Sequence, residues 1–187
     1  GMQKVWDENV HGYVWMERAF PLIRYFEDAF GEYEINGFKV LTIGGAYSVD
    51  KWYRLQMDWH WFADEQLTAE EMAACENTIA GKEYDFVFTH TCPIDWEPND
   101  LFIAGIDQSK VDKTTEVWLG ALKDKFKWTN WLFGHYHANR IERPHVEQFY
   151  EEIDLLTDVS ARWSKYDETG EVGGWWLPKS PNFHMNS

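Results

Sequence analysis

Two short runs of strand-forming residues, each ending at histidine, constrain the fold of this chain more than any other feature. YDFVFTH, residues 84–90, and WTNWLFGHYH, residues 128–137, are separated by a loop and by a helical pattern over residues 112–126. A strand, a helix and a second strand in that order predict a βαβ unit. Ligands of such sheets gather beyond the carboxyl ends of the strands, and that is where the candidate site residues fall: His90, His135 and His137.

A β-hairpin is indicated upstream of this unit. Asn36 and Gly37 lie between two short runs of strand formers, a pattern that favours a tight hairpin turn. The second arm, residues 38–43, is apolar enough to be a central strand. It ends at Gly44-Gly45, where we expect the backbone to approach another segment closely.

Two helices are expected from capping signals and periodicity. Thr68 and Glu71 have capping-box spacing and Gly81 suits the C′ position, which predicts a helix over residues 68–81. The second helix lies within residues 112–126, and its candidate core positions are Val117, Leu119, Leu122 and Phe126.

The last third of the chain is expected to add strands and then a tail. Strands are predicted on either side of Pro144, over residues 139–143 and 146–153. From Ser160 onward the composition becomes polar and glycine-rich, which predicts a tail with a GGWWLP anchor at residues 173–178. The order of all these elements predicts an α/β layered fold with mixed sheets.

Composition and charge narrow the classes of function. The chain has 187 residues and a formal net charge of −15 with its seven histidines counted as neutral. Such a surface repels polyanions, so general nucleic-acid binding through a basic face is disfavoured. A metal site remains compatible with that charge, because bound cations reverse the local field.

The cysteines and the lengths of the apolar runs indicate the cellular compartment of the protein. Cys75 and Cys92 are the only cysteines and lack CxxC spacing, which favours reduced thiols over a disulfide framework. The sequence has no run of about 18 apolar residues that would predict a membrane span. Its N-terminus also lacks the pattern of a signal peptide. We therefore expect a cytoplasmic protein with no membrane partner.

The histidines have a functional and a structural interpretation. Neutral imidazole is a common metal ligand, and histidines at i and i+2 point the same way in an extended segment. If the segment turns, His135 and His137 can flank one ion or reach toward two, and Gly134 leaves room for such a turn. The alternative is that these are ordinary loop histidines and that His90 is structural. Because His90 follows a strand of the same βαβ unit, metal binding is favoured.

The two histidine motifs resemble a known family. FTHTCP, residues 88–93, and FGHYH, residues 133–137, are similar to the last two signature blocks of the calcineurin-like metallophosphoesterases. GGAYSVDKWYR, residues 44–54, followed by WFADEQ, residues 61–66, is similar to a bacterial and phage-like branch of that family labelled serine/threonine-phosphatase-like. The resemblance extends over most of the chain, from about Tyr25 to Ile153.

This resemblance implies a β-sandwich flanked by helices that carries two divalent metal ions. Carried over to this chain, His90 and His135 hold one ion and His137 holds its neighbour. Nitrogen and oxygen ligands suit Mn, Fe or Zn. Two such ions about 3.5–4 Å apart clamp a phosphate and lower the pKa of a bridging water. The implied activity is hydrolysis of a phosphomonoester or a phosphoprotein.

The chain departs from the family in the first half of the domain. The Asp-x-His, Gly-Asp-x-x-Asp and Gly-Asn-His-Asp/Glu blocks, which supply carboxylate and asparagine ligands in the family, do not occur in this sequence. One ion held by three histidines and water, or no ion at all, is therefore also open. Candidate replacement ligands are Asp50, Asp95 and Asp100, each of which is alternatively a solvated loop acid.

Arg54 and the aromatic segment around it each have two interpretations. Arg54 can orient a phosphate through two parallel hydrogen bonds, or it can pair with Asp50 four residues earlier. The aromatic side chains either line a substrate groove or form core or interface, and we favour the second: Trp52, Tyr53, Trp59, Trp61 and Phe62.

Two functions are compatible with the sequence. The resemblance favours a metal-dependent phosphoesterase whose site is incomplete in this chain, with residues 2–155 as the C-terminal portion of such a domain and residues 156–187 as an extension. The alternative is a catalytically inactive remnant that oligomerises or binds. Missing strands would leave bare apolar surface and an unpaired sheet edge. A homo-oligomer, in the simplest case a dimer, or a complementing N-terminal half is therefore the expected partner, besides a phosphorylated substrate.

Overall fold

The computed structural model describes residues 1–27 and 29–172, which form eight strands and four α-helices. The strands are β1 (Met2–Asp7), β2 (Gly12–Glu17), β3 (Phe30–Ile35), β4 (Phe38–Ile43), β5 (Glu83–Thr89), β6 (Lys127–Phe133), β7 (Arg140–Arg143) and β8 (Val146–Gln148). The helices are α1 (Lys51–Gln56), α2 (Ala69–Ile79), α3 (Thr114–Leu122) and α4 (Leu156–Thr169). None of these helices is both long enough and apolar enough to cross a membrane.

Six strands form one mixed sheet in the order β3-β4-β5-β6-β8-β7. Strands β4, β5, β6 and β8 run parallel to one another. Strands β3 and β7 pair antiparallel at the two edges. A separate hairpin, β1–β2, was not indicated by the sequence pattern. The predicted mixed α/β architecture is confirmed.

Two apolar clusters cover the opposite faces of this sheet. Leu41 and Val87 belong to one cluster with α2 and α3, whereas Val40 and Phe86 belong to the other with α4 and the β1–β2 hairpin. Neighbouring residues alternate between the clusters because successive side chains of a strand point to opposite faces. Burial on both faces explains why β4 and β5 read as nearly continuous apolar runs.

The predicted hairpin is β3–β4. Ile35 pairs with Phe38, and the two turn residues between them, Asn36 and Gly37, have φ of 53° and 82°. Positive φ at both central residues suits a hairpin turn whose twist matches that of the strands. After β4, the expected close approach occurs at Gly45, which has φ of 86° and where an added Cβ would lie 2.5 Å from Leu67 Cδ1.

Gly45→Ala is expected to lower the free energy of unfolding by about 2–4 kcal/mol, because a left-handed backbone cost adds to a steric clash. Gly37→Ala is the matched control, since Gly37 is also left-handed but a Cβ there would meet open space. The control should cost only about 1 kcal/mol. Urea unfolding of both variants measures the difference, and equal losses would contradict the close approach at Gly45.

Helix α2 has the expected start and end. Thr68 Oγ1 accepts a hydrogen bond from the Glu71 N–H at 3.2 Å, and Glu71 Oε2 accepts one from the Thr68 N–H at 2.8 Å. The helix ends before Gly81, which is left-handed with φ of 71°. The predicted capping box and C′ glycine are both confirmed.

One of the four core positions predicted for the second helix is wrong. Leu119, Leu122 and Phe126 are buried, but Val117 is 57% exposed. Helix α3 begins at Thr114 and buries Thr115, Leu119 and Leu122, which are spaced as one helical face. Val117 is two residues from Leu119 and therefore lies on the opposite, solvent side.

Strand β8 is shorter than predicted. It pairs from Val146 to Gln148, and not to Ile153, while β7 starts at Arg140, one residue after the predicted Asn139. The Asn139 side chain explains the early end of β8. Its Oδ1 accepts a hydrogen bond from the Tyr150 N–H at 2.7 Å, which takes the place of a ladder bond to a backbone carbonyl.

The segment predicted as a C-terminal extension contains helix α4, which packs on the sheet. Val159 and Trp163, four residues apart, are buried in the second apolar cluster. Glu147 of β8 is completely buried and accepts hydrogen bonds from Arg162 at 2.6 and 2.7 Å and from Trp163 Nε1 at 2.6 Å. The predicted GGWWLP anchor, residues 173–178, lies outside the described residues.

Candidate metal centre

His90 and His135 meet at the carboxyl edge of the parallel strands. The ladder continues past the strand ends, since the His90 N–H donates to Ile43 O at 3.1 Å and the Gly134 N–H donates to His90 O at 3.0 Å. His90 Nε2 and His135 Nδ1 are 3.3 Å apart, although 45 residues separate them in sequence. The expected convergence of the two motifs is therefore confirmed for these two histidines.

A tight turn directs His135 toward His90. The Tyr136 N–H donates to Gly134 O at 2.8 Å, and the residue between them, His135, has φ of 67°, which defines a γ-turn. His137 is also left-handed, with φ of 54°. Such conformations cost energy in residues other than glycine and concentrate at functional sites. The positive φ of the turn therefore lies at His135, while Gly134 is its first residue. An added Cβ at Gly134 would lie 3.5 Å from Phe149 O, an ordinary contact, so the turn does not require glycine there.

His137 does not join the pair. Its ring stacks on Tyr150, with ring centroids 4.5 Å apart and 21° between the planes. Within residues 1–27 and 29–172, no three His, Cys, Asp or Glu side chains form a group that could hold a metal ion. The structure thus brings together two of the three predicted ligands and leaves the third on a neighbouring aromatic ring.

The separation of the paired nitrogens suits two ligands of one ion. A tetrahedral zinc ion with Zn–N bonds of about 2.0–2.1 Å has ligand nitrogens about 3.3–3.4 Å apart. The distance between His90 Nε2 and His135 Nδ1 is 3.3 Å. The chain therefore fits two positions of such a coordination sphere, and a third would require His137 to leave Tyr150 or another group to approach.

The electrostatic surroundings keep the pair neutral, which is the form that binds cations. Burial, followed by the charges of His90 and His137, lowers the pKa of His135 from 6.5 to about 4. Desolvation also lowers the pKa of His90, although this residue is partly exposed, while the Glu65 carboxylate opposes that shift. Glu65 thus acts on His90, and sequence reasoning missed it because no motif marks it within WFADEQ.

The shifted pKa of His135 predicts a pH dependence for the metal-free protein. A base with a lowered folded-state pKa is protonated first in the unfolded chain, so its contribution to stability is complete above pH 6.5 and is lost as the pH falls toward about 4. At pH 5.5 the chemical shifts of the His135 ring nitrogens should still be those of a neutral imidazole. A titration midpoint near 6.5 in NMR would contradict this environment.

The other predicted polar residues are paired elsewhere. Arg54 Nε donates to Asp50 Oδ2 at 2.7 Å, which is the second of its two interpretations. Asp100 pairs with Arg140 at 2.8 Å, and Asp95 lies 3.7 Å from Lys123 Nζ. Each of these side chains would have to give up an ion pair before it could contact a phosphate or a metal.

A buried hydrogen-bond relay joins the two histidine loops. Thr91 Oγ1 donates its one proton to Glu116 Oε1 at 2.8 Å. The Tyr136 hydroxyl lies 3.1 Å from Thr91 Oγ1 and therefore donates to the Thr91 oxygen. The Cys92 thiol in turn donates to the Tyr136 hydroxyl at 3.7 Å. Burial raises the pKa of Cys92 to about 12, so this thiol stays protonated as a donor. Since Thr91 follows His90 and Tyr136 follows His135, the relay holds the paired rings in register.

Tyr136→Phe is expected to weaken metal binding about tenfold, because groups that orient ligands typically contribute that much. It should also lower the free energy of unfolding by about 1 kcal/mol. Tyr150→Phe is the matched control, since it keeps the ring that stacks on His137. Titration calorimetry with Zn²⁺ on both variants measures the difference, and an equal loss of affinity would argue against the relay.

The aromatic segment does not belong to the core of this chain. Four of its five members are exposed, namely Trp52, Tyr53, Trp59 and Phe62. The fifth, Trp61, donates its Nε1–H to Glu65 at 3.1 Å. The Ala46 N–H donates to Glu65 O at 2.9 Å, which joins the two ends of the segment. Its use as a substrate wall or as an interface stays a prediction.

Comparisons of the chain with protein-family models, with curated proteins and with solved structures return no match. The likeness to metallophosphoesterases therefore depends on the quoted motifs alone.

Proposed function

We propose that this chain provides part of a metal-dependent phosphoesterase, of the calcineurin-like type that its histidine motifs resemble. The observation that carries the proposal is the 3.3 Å contact between His90 Nε2 and His135 Nδ1. It brings two neutral imidazoles to the edge of a parallel sheet where ligands usually bind.

His90 and His135 would hold one divalent cation (Mn, Fe or Zn), and His137 would reach the same ion or a second one after leaving Tyr150. A bound divalent ion supplies Lewis acidity toward a phosphoryl oxygen and lowers the pKa of a water molecule. The rings can serve as ligands at neutral pH without first losing a proton, because burial lowers the pKa of both. Arg54 would orient the phosphate if substrate displaces Asp50.

The charge of the chain favours small phosphorylated substrates. The net charge of −15 opposes extended polyanions. A phosphomonoester or a phosphorylated side chain carries only one anionic group to the site. We also place the protein in the cytoplasm, because Cys75 and Cys92 are free, buried thiols.

The remaining ligands would come from a longer form of the protein, from a separate chain or from a second copy. The exposed aromatic segment offers apolar surface for a second copy or for a complementing N-terminal half. A group from that partner would then complete the coordination of the pair.

The second candidate is a non-catalytic module that oligomerises or binds through the same surface. It is favoured by the stacking of His137 on Tyr150 and by the pairing of Arg54 with Asp50. Both contacts engage the side chains that a phosphoesterase site would need.

Metal content and hydrolysis separate the candidates. The full chain is loaded with Mn²⁺, Fe²⁺ or Zn²⁺, desalted, analysed by mass spectrometry and assayed with 4-nitrophenyl phosphate, with an EDTA-treated sample as control. About two ions per chain with turnover supports the two-metal enzyme. About one ion with turnover supports a mononuclear hydrolase. Absence of both metal and turnover in every sample removes the enzyme and leaves the binding module.

A further inference from the structure

An open apolar groove of about 380 Å³ lies on the α4 side of the sheet, at the carboxyl ends of β5 and β6. Its size falls within the range of small-molecule sites. Seven of the eleven residues that line it are apolar: Phe88, Leu132, Phe133, Phe149, Ile153, Leu156 and Val159.

The groove ends next to the histidine pair, although neither histidine lines it. Thr89 and Gly134 line it, and they directly precede His90 and His135. Because the backbone ladder continues through His90, period-two alternation places His90 on the same face as Phe88, which lines the groove. A ligand that extends from the groove past Thr89 and Gly134 would therefore reach the paired imidazoles.

The acidic side chains of the groove disfavour a ligand that carries a second anionic group. Its lining includes Glu152 and Asp154 but no Lys, Arg or His among the eleven residues that form it. Asp154 is already paired with Arg162, while Glu152 is exposed at the rim. An apolar body fits such a lining, whereas a diphosphate or a polyanion would meet uncompensated negative charge.

We propose that this groove binds the apolar alcohol portion of a phosphate monoester, with the phosphate against His90 and His135. The inference rests on the proposed phosphoesterase function and adds a substrate class to it, namely monoesters of aryl or similarly apolar alcohols. Burial of one aromatic ring gives a preference of about 10- to 100-fold over a polar ester.

The test compares 1-naphthyl phosphate with O-phosphoserine in the metal-loaded full chain. Ile153→Asp introduces a charge at the groove and should not disturb folding, because Ile153 is 99% exposed. Leu22→Asp is the matched control, since Leu22 is 93% exposed and does not line the groove. 1-Naphtholate is a better leaving group than a serine alkoxide, so the readout is the change that each substitution causes. We expect Ile153→Asp to lower kcat/KM for 1-naphthyl phosphate at least about tenfold with little effect on O-phosphoserine, and Leu22→Asp to leave both values unchanged. An unchanged kcat/KM for 1-naphthyl phosphate in Ile153→Asp, or an equal loss for both esters, overturns the proposal.

Direct binding separates failure of the groove from failure of the chemistry. If no ester is hydrolysed, methyl NMR spectra are recorded with 1-naphthyl phosphate. Shifts at Leu132, Leu156 and Val159 that disappear in Ile153→Asp support the groove as a ligand site and overturn only the phosphoesterase function. Unchanged spectra overturn the groove.

Two other occupants have distinct signatures. If Ile153→Asp converts an oligomer to a monomer and leaves kcat/KM for 1-naphthyl phosphate unchanged, the groove is an interface between copies. If substitution of both Trp175 and Trp176 by alanine tightens binding of 1-naphthyl phosphate, the C-terminal segment of the chain competes for the groove. Either result overturns the substrate assignment.

Discussion

Replacing His135 by alanine is expected to abolish divalent-metal binding, with a loss of affinity of more than about 100-fold. The reason is that His135 Nδ1 lies 3.3 Å from His90 Nε2, so its removal leaves one imidazole where two were available. Groups that merely orient ligands contribute about 10- to 100-fold, so loss of a ligand should exceed that range. Metal content after desalting and titration calorimetry with Zn²⁺ measure the effect.

His11→Ala is the matched control for that substitution. His11 is an exposed histidine with φ of 47°, so it shares the left-handed backbone of His135, which has φ of 67°. Both variants therefore pay a similar conformational cost, and only one loses a candidate ligand. Unchanged metal content in His135→Ala would remove the site, whereas equal losses in both variants would indicate a general effect of instability.

Trp131→Ala should be the most destabilising single substitution considered for this fold, lowering the free energy of unfolding by about 3–5 kcal/mol. Trp131 is fully buried in β6. It packs against Trp96 and Trp128 at centroid distances of 5.3 and 5.4 Å. Its Nε1–H donates to Thr89 Oγ1 at 2.9 Å, so the substitution removes a hydrogen bond between adjacent strands as well as a large apolar volume.

Trp52→Ala provides the comparison, because the same atoms are removed from a side chain that is 68% exposed. Its effect should stay within about 0.5 kcal/mol. Urea unfolding at neutral pH, followed by far-ultraviolet circular dichroism, measures both variants. A loss below about 1 kcal/mol for Trp131→Ala would mean that the aromatic cluster is not the centre of the core.

Features encoded by a few neighbouring residues were predictable from the sequence. The hairpin turn at Asn36 and Gly37 depends on two adjacent residues that tolerate positive φ. The start of α2 depends on Thr68 and Glu71, three residues apart. The meeting of His90 with His135 followed from one topological rule, that parallel strands present their carboxyl ends at the same edge.

Features that depend on tertiary partners were not predictable in the same way. Helix α4 buries only Val159 and Trp163, so its composition is polar and resembles that of a tail. Its Arg162 pairs with Glu147 of the preceding strand, a contact that the sequence pattern does not reveal. The stacking of His137 on Tyr150 depends on the path of residues 149–153, which the sequence pattern predicted as part of a strand.

The side-chain partners of the candidate site were also not predictable from the sequence. The spacing of Arg54 and Asp50 allowed an ion pair or a free guanidinium equally well, and only the side-chain positions distinguish them. Glu65 carries no motif, and its charge acts on His90 because its own backbone folds back onto Ala46, whose N–H donates to Glu65 O. Val117 satisfied the apolar composition of a core helix but not the angular position of its buried face.

The attachment of α4 has a consequence for how the groove behaves in solution. Leu156 and Val159 of this helix form one wall. The helix is attached to the rest of the chain by the Glu147–Arg162 ion pair, by a hydrogen bond between His145 and Asp167, and by two buried side chains. A single helix on one face of a sheet can open at a lower free-energy cost than the whole molecule. The wall therefore exists only while the helix is docked, and any molecule occupying the groove must slow amide hydrogen exchange along α4.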